Sequence, residues 1–180
     1  MREVYIENTS MTKFGRFDSS LRQLTTQAGM ECIADSKRKP DCLLIGSMNP
    51  EEFSSNSNIS SLVADYLDIQ GIPSLRIETA SSSGAAIFSL GCNLIASGIY
   101  KNILLIAGEK MSGLETQKVT KILAKVIEEN ERERHKFKFP FLRPVSARSP
   151  NHVLSDWPEK LEILNFELSG IGSNFIVQRS

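Results

Sequence analysis

Three consecutive serines follow an apolar segment and precede an apolar helical pattern, and they are the residues best placed for chemistry. The segment reads Arg76-Ile77-Glu78-Thr79-Ala80-Ser81-Ser82-Ser83-Gly84-Ala85-Ala86. Such a junction puts hydroxyl groups at a helix N-terminus, where unpaired N–H groups and the helix dipole favour negative charge. Nucleophiles and oxyanion-binding groups occur in such positions. The alternative is that Ser81 to Ser83 only cap the helix.

The elements that must position these serines alternate between strand and helix patterns over residues 1–112. This alternation predicts βαβ units around a parallel or mixed sheet. Strands are predicted at residues 3–6, 42–45, 75–78 and 103–106, and helices after the capping-box pair Ser20 and Gln23 and over residues 62–67, 85–95 and 119–127. The helix over 85–95 is apolar enough to be buried, with Gly98 as its C-terminal cap. Residues 47–60 are rich in Ser, Asn and Pro and are predicted mainly as loop.

Composition excludes several classes of protein. The 180 residues hold 21 Lys and Arg against 21 Asp and Glu, so no net positive charge favours nucleic acid or an anionic membrane. No apolar run suits a signal peptide or reaches the ~18 residues of a transmembrane helix, and we expect a cytoplasmic chain without membrane contact. Cys32, Cys42 and Cys92 lack CxxC spacing, so we expect reduced core cysteines and no metal site.

Several motifs, in order along residues 1–148, resemble the thiolase superfamily, most closely the acetyl-CoA acetyltransferase-like thiolases of archaea and bacteria. The motifs are Thr12-Lys13-Phe14-Gly15, Ile45-Gly46-Ser47-Met48, residues 60–67, residues 73–85, residues 96–102, Gly108-Glu109-Lys110-Met111 and residues 120–127. The resemblance implies an α/β fold: a thiolase-like βαβαβαβ half with a mixed, mainly parallel sheet and a helical or irregular C-terminal extension. The implied division is a core over 1–112, a loop-domain-like helix and basic segment over 113–148, and a tail over 149–180.

The resemblance also assigns a role to the serines. The family's nucleophilic cysteine sits where the third strand meets a buried helix, and aligning Ser83-Gly84 with the family's Ser-Gly pair puts Ser81 at that position. Ser83 and Gly84 then lie in the oxyanion and substrate vicinity. Serine departs from the family pattern, because a hydroxyl needs a neighbouring base where a thiol ionises more easily.

The family's other catalytic groups, two histidines and a second cysteine, come from its C-terminal half. We expect that catalytic half to be missing from this sequence. His135 lies in the charged run 131–136 and His152 follows Pro150-Asn151, and neither stands in a family-like motif. Both are predicted to be solvated rather than catalytic.

A basic segment is interleaved with phenylalanines and has two interpretations. Its cations are Arg132, Arg134, Lys136, Lys138, Arg143 and Arg148. The family's loop domain meets coenzyme A, which makes Arg132, Arg134, Lys136 and Lys138 candidate contacts for its phosphates and adenine. Alternatively, the cations are solvated and the phenylalanines form one side of a strand.

The tail offers strand patterns at residues 161–166 and 175–178, separated by the glycine-rich run 169–173. This run is partly similar to the segment before the final strand of condensing enzymes in the superfamily. It is either an ordinary glycine turn or the lead into a strand that folds back onto the first half.

These observations lead to three functional hypotheses. The first is a thiolase-like acyltransferase of lipid metabolism that handles acyl-CoA or a related thioester through Ser81, with coenzyme A thioester as substrate or ligand and no bound cofactor. The alternative is a catalytically inactive subunit that binds a partner thiolase-fold chain, since thiolases dimerise through this first half and a homodimer or hetero-oligomer is expected. The third is a free-standing coenzyme A-binding module.

Overall fold

The structure is a computed structural model, and it describes residues 3–130 and the backbone of the strand Ser173–Arg179. The strands are β1 (Val4–Met11), β2 (Cys42–Gly46), β3 (Ser74–Ile77), β4 (Asn102–Ala107) and β5 (Ser173–Arg179). The helices are α1 (Leu21–Ala34), α2 (Pro50–Ser54), α3 (Ile59–Tyr66), α4 (Ser83–Ser97) and α5 (Thr116–Leu123), the last followed by a 3-10 turn at Ala124–Val126.

The five strands form one mixed sheet in the order β1-β5-β4-β2-β3. β2 pairs in parallel with both β3 and β4, and β5 runs antiparallel to both β1 and β4. Four strands therefore point one way and β5 alone is reversed, which confirms the mixed, mainly parallel sheet. β5 also contains the strand predicted at residues 175–178, and it lies between β1 and β4.

The chain divides into two compact units, Met1–Leu114 with Leu168–Ser180, and Glu115–Glu167. The sheet belongs to the first unit, and α5 belongs to the second. The predicted boundaries at residues 112 and 148 stay predictions. The strand predicted over 161–166 lies outside the described residues.

The core of the first unit has two halves, one on each face of the sheet. β2 is buried throughout and β4 is buried up to Ile106, and their alternate side chains point to opposite faces, as strand geometry requires. Leu43, Ile45, Leu104 and Ile106 pack in one cluster with the buried residues of α1 and α3. Leu44, Cys42, Ile103 and Leu105 pack in the other with Ile87 and Ile95 of α4. The three layers leave the carboxyl ends of β2, β3 and β4 at one edge.

Local signals in the sequence account for several helix ends. Ser20 and Gln23 form the predicted capping box, in which the Gln23 N–H donates to Ser20 Oγ at 3.2 Å and the Ser20 N–H donates to Gln23 Oε1 at 2.8 Å. Gly98 ends α4 with a φ of 82°, a left-handed conformation that favours glycine.

Three predictions about secondary structure were wrong or incomplete. Residues 47–60 are loop for only half of their length, because Pro50 opens α2 at the position where its missing N–H costs nothing, and α3 begins at Ile59. β1 continues to Met11, beyond the short apolar run that predicted it. The regular helix predicted to reach residue 127 ends at Leu123 and gives way to the 3-10 turn.

The prediction that α4 is buried holds for one face only. Ser83, Ile87, Gly91 and Ile95 face the sheet and are buried, at the spacing of a single helical stripe. Leu90, at the flank of this stripe, has a relative exposure of 36%. The apolar count of this helix overstated its burial because only one stripe contacts the sheet.

Candidate active site at the strand ends

Ser81 lies in the turn that joins β3 to α4, as the sequence predicted. The turn requires a left-handed residue, and Ala80 takes that conformation with a φ of 52°. An alanine there costs about 1–2 kcal/mol relative to its usual backbone conformations, so the surrounding contacts must hold it. Ser81, the next residue, is exposed, and its hydroxyl makes no hydrogen bond within the described part of the chain.

The two neighbouring serines are engaged by the turn itself. Ser83 is buried; its Oγ accepts a hydrogen bond from the Thr79 N–H at 3.0 Å and donates one to the Ala80 carbonyl at 2.7 Å. Ser82 Oγ donates to the Thr79 carbonyl at 2.7 Å. Ser82 occupies the N-cap position without a capping hydrogen bond from its side chain. Among the three serines, Ser81 is the one whose hydroxyl is exposed and makes no hydrogen bond within the described part of the chain.

The backbone around the predicted oxyanion groups is also defined. The Ser83 N–H donates to the Ala80 carbonyl at 3.2 Å, so it is engaged within the turn. Gly84 is the second residue of α4, and its N–H has no partner inside the helix. A Cβ at Gly84 would lie 3.3 Å from the Ala107 Cβ, so glycine allows this turn to pack closely on the end of β4.

The end of β2 packs directly beneath this turn. A Cβ placed on Gly46 would lie 2.7 Å from the Ser83 carbonyl oxygen, so the contact requires glycine. The Gly46 carbonyl accepts a hydrogen bond from the Gly108 N–H at 3.0 Å, which joins the ends of β2 and β4. The first turn of α4 therefore rests on a glycine that is tied to β4.

A carboxylate from the end of β4 holds the loop that follows Gly46. Glu109 Oε2 accepts hydrogen bonds from the Met48 N–H at 2.8 Å, the Asn49 N–H at 3.3 Å and Ser47 Oγ at 3.3 Å. Burial raises the pKa of Glu109, and the N–H and hydroxyl donors oppose that rise without cancelling it. The loop after β2 and the end of β4 are thus linked through one half-buried carboxyl group.

Arg76, on β3, holds the same loop from its carbonyl side. Its guanidinium donates to the Ser47 carbonyl at 3.3 Å and to the Met48 carbonyl at 3.4 Å. It also forms an ion pair with Glu51 of α2 at 2.9 Å. The loop 47–49 is therefore held by its N–H groups and by its carbonyl groups.

Lys110 ties a further segment to the end of β4. Its Nζ donates to the Phe17 carbonyl at 2.6 Å and contacts Ser112 Oγ at 3.2 Å. Sequence reasoning gave no role to Arg76, Glu109 or Lys110. A charged pair directly after the buried strand β4 was the signal that could have found two of them, since such charges need partners.

The predicted coenzyme A contacts Arg132, Arg134, Lys136 and Lys138 lie outside the described residues and stay predictions. His135 and His152, which were predicted to be solvated, lie outside them as well. Residues 3–130 contain no histidine, and this part of the chain has no group of acidic, histidine and cysteine side chains that could hold a metal ion. No helix among the described residues has the length and apolar character needed to cross a membrane.

The cysteines do not take over the role of the serine. None of the three forms a disulfide within the described residues; Cys32 and Cys42 are buried, as predicted, and Cys92 is half-buried. Burial raises the pKa of the Cys42 and Cys92 thiols, which disfavours the reactive thiolate.

Comparison with known proteins places this architecture in a family. The model of the thiolase N-terminal domain matches residues 4–141. An acetyl-CoA acetyltransferase of Methanothermobacter thermautotrophicus is 32% identical over 170 residues, covering 92% of this chain and 44% of that protein. The chain therefore spans less than half the length of this relative.

Two solved structures share the fold. One is 3-oxoacyl-[acyl-carrier-protein] synthase III from Aquifex aeolicus, with a TM-score of 0.61 at 14% identity, covering 99% of this chain and 54% of that one. The other is a cysteine-to-serine variant of Xanthomonas campestris OleA with bound lauric acid and lauroyl-CoA. It has a TM-score of 0.54 at 14% identity and covers 93% of this chain and 42% of that one. The family match over residues 4–141 and the identity to the archaeal acetyltransferase show that the chain belongs to the thiolase family and carries the N-terminal domain of that family.

Proposed function

We propose that this chain handles acyl-CoA or a related thioester, with Ser81 at the position that receives the acyl group. The observation that carries the proposal is the exposed, unbonded Ser81 hydroxyl between β3 and the N-terminus of α4. Partial positive charge at a helix N-terminus stabilises the negative charge that develops when a nucleophile attacks a carbonyl.

Two further observations support thioester binding. The residues around Ser81 are small, so a pantetheine arm can approach the backbone. The OleA variant, which has a similar fold and carries serine in place of a cysteine, binds lauroyl-CoA. Coenzyme A contacts from Arg132, Arg134, Lys136 and Lys138 belong to this proposal, as do a role in lipid metabolism and a cytoplasmic location.

The proposed step is transfer of the acyl group to serine. Ser81 Oγ attacks the thioester carbonyl, a C–O bond forms, the C–S bond breaks, and coenzyme A leaves as its thiol with the proton that Ser81 loses. Serine needs a base for this transfer. Residues 3–130 contain no histidine, so a histidine base would have to come from another chain or from residues outside the described part.

Intact-mass measurement after incubation with acyl-CoA tests the proposal. We expect one acyl group per chain, lost in Ser81→Ala and retained in the matched control Ser82→Ala, whose hydroxyl is engaged locally. Ser81→Cys should react faster, because a thiol at a helix N-terminus ionises readily. Absence of an adduct in the parent and in Ser81→Cys, with several thioesters and with any co-purified partner, would overturn acyl transfer.

A second candidate function is that of a non-catalytic subunit for another thiolase-fold chain. The observation that favours it is an open surface: β3 is an edge strand with Leu75 50% exposed, and α4 leaves Leu90 partly exposed. Unpaired edges and apolar helix faces are surfaces through which chains associate.

Association state distinguishes this candidate. We expect a dimer or hetero-oligomer in sedimentation experiments, weakened by Leu90→Asp. Met30→Asp serves as the matched control, because Met30 is 52% exposed on α1, on the opposite face of the sheet. A chain that stays monomeric alone and with co-expressed thiolase-fold proteins would contradict the subunit role.

A further inference from the structure

The loop 47–49 is fixed by residues far from it along the chain. Its N–H groups and the Ser47 hydroxyl bind Glu109, at the end of β4, and its carbonyl groups bind Arg76 of β3. Ser47 and Met48 are buried, so water cannot readily replace the contacts that Glu109 makes.

This loop is continuous with the support of the turn that carries Ser81. Gly46, which precedes Ser47, lies in close contact with the Ser83 carbonyl, and its own carbonyl is bonded to Gly108. A shift of the loop therefore moves the surface on which the first turn of α4 rests, since packed interiors transmit such displacements.

We propose that Glu109 is a positioning residue for the Ser81 site and acts through the loop 47–49. This inference rests on the proposed function, because that proposal is what makes Ser81 a functional residue. The effect of Glu109 on the position of Ser81 can nevertheless be measured without any acyl transfer. Glu109 itself touches neither Ser81 nor a substrate in this role.

The hydrogen bonds specify which side chains can replace glutamate. From the loop 47–49, Oε2 receives three donors, and Oε1 is contacted by Ser47 Oγ at 3.4 Å. A glutamine can present its carbonyl oxygen to the N–H groups and its amide to Ser47. Aspartate keeps the charge but is one methylene too short to reach Met48. The charged groups nearest this network are Arg76, Glu51 and Lys110.

The test uses a thiol placed at the site by Ser81→Cys as a reporter. Its rate of alkylation by iodoacetamide is followed by peptide mass spectrometry between about pH 4 and pH 9, a range that covers most of the span between the pKa of a thiol at a helix N-terminus and that of a free thiol. The rate in the Ser81→Cys parent, which keeps Glu109, is compared with the rates after adding Glu109→Gln, Glu109→Asp or Glu109→Ala. Lys110→Met is the control that releases a different segment from the same end of β4.

We expect Glu109→Ala and Glu109→Asp to slow alkylation at neutral pH about tenfold, because the helix N-terminus no longer stabilises the thiolate. Glu109→Gln should match the parent or react faster, since it keeps the contacts and removes a negative charge. Lys110→Met should stay within about twofold, because the loop 47–49 keeps its hydrogen bonds.

Unchanged alkylation in folded Glu109→Ala would overturn the proposal, and so would a glutamine variant as slow as the alanine variant. If the alanine and aspartate variants do not fold, Ser47→Ala decides: it removes one hydroxyl contact and should slow alkylation about threefold, and an unchanged rate contradicts the proposal. The alkylation assay needs no acyl adduct, so it still tests the role of Glu109 if acyl transfer from a thioester is not observed.

Discussion

Two connections leave the same edge of the sheet, and they are held in opposite ways. The turn from β3 to α4 is fixed by side chains within it: Ser83 bonds to residues three and four positions away, and Ser82 to a residue three positions away. The loop after β2 is fixed by Arg76, 28 and 29 residues away, and by Glu109, 60 to 62 residues away. The first connection presents Ser81, and the second supports it.

The positions of the residues around Ser81 therefore depend on both local and long-range hydrogen bonds. A turn stabilised by its own hydrogen bonds can form before the rest of the fold, since its partners are close in sequence. A loop held by distant side chains takes its shape only when β2, β3 and β4 are paired. We therefore expect the loop to depend more on the integrity of the sheet than the turn does.

Among the proposed changes, Glu109→Ala is expected to cause the largest loss in the free energy of unfolding. It leaves the buried Met48 N–H without a partner and opens space beside the loop, so the free energy of unfolding should fall by about 2–4 kcal/mol. Urea denaturation of the parent, Glu109→Ala and Glu109→Gln measures this. The glutamine variant should stay within about 1 kcal/mol of the parent, because it keeps an acceptor for the same N–H groups. Equal losses in both variants would show that the charge, and not the contact, stabilises the loop.

Ser83→Ala tests the local connection and should cost less. It removes the hydroxyl that binds the Thr79 N–H and the Ala80 carbonyl, but Thr79 is exposed and water can replace part of the loss. We expect a decrease of about 1–2 kcal/mol in the free energy of unfolding. Ser82→Ala, at an exposed position, should change it by less than about 0.5 kcal/mol. If Ser83→Ala costs more than Glu109→Ala, the proposed ranking of the two connections is wrong.

The sequence predicted the features that depend on local contacts and missed those that depend on contacts between distant residues. The place of the serine turn between a strand and a helix and the capping box at Ser20 and Gln23 were predicted, because each depends on residues within a few positions. The choice of Ser81 among the three serines came from the family resemblance, and its role stays a prediction. The buried runs of β2 and β4 were also recognised, since continuous apolar strands are typical of sheets covered on both faces. The alternation of strand and helix patterns over residues 1–112, together with the family resemblance, predicted the fold class.

The missed features depend on contacts that become visible only in the folded chain. Glu109 was known only as part of a motif, because nothing near it in sequence reveals that Met48 and Asn49 are its partners. α2 was missed because five residues with a proline at the first position give little periodicity. The exposed side of α4 was missed because composition does not show which stripe faces the sheet.

Ala80→Gly tests whether the local turn stores backbone strain. A glycine adopts a positive φ without the penalty that alanine incurs, but it also increases the entropy of the unfolded chain. The two effects leave a gain of about 0–1 kcal/mol in the free energy of unfolding. Gly71→Ala, at a φ of 84°, is the matched reverse change in open space and should be destabilising. A clear loss of stability in Ala80→Gly would mean that the turn does not strain Ala80.

The smallest expected effect is a pH dependence that differs in sign between two carboxyl groups. Burial raises the pKa of Glu109, so the native state binds its proton more tightly than the unfolded state does. Its contribution to stability is full below the ordinary glutamate pKa and is lost as pH rises through the raised value. Burial also acts on Glu7, but hydrogen bonds from Ser36 Oγ at 2.7 Å and the Lys37 N–H at 3.1 Å outweigh it and lower the pKa of Glu7.

The contribution of Glu7 is therefore present above the ordinary glutamate pKa and lost as pH falls through the lowered value. Unfolding free energies measured from mildly acidic to neutral pH should decline less in Glu109→Gln than in the parent. Glu7→Gln should instead remove stability at neutral pH and leave the acidic end unchanged. Parallel curves for the parent and Glu109→Gln would show that donors from the loop 47–49 fully compensate the burial of Glu109, and the loop would then be held by an ordinary ionised carboxylate.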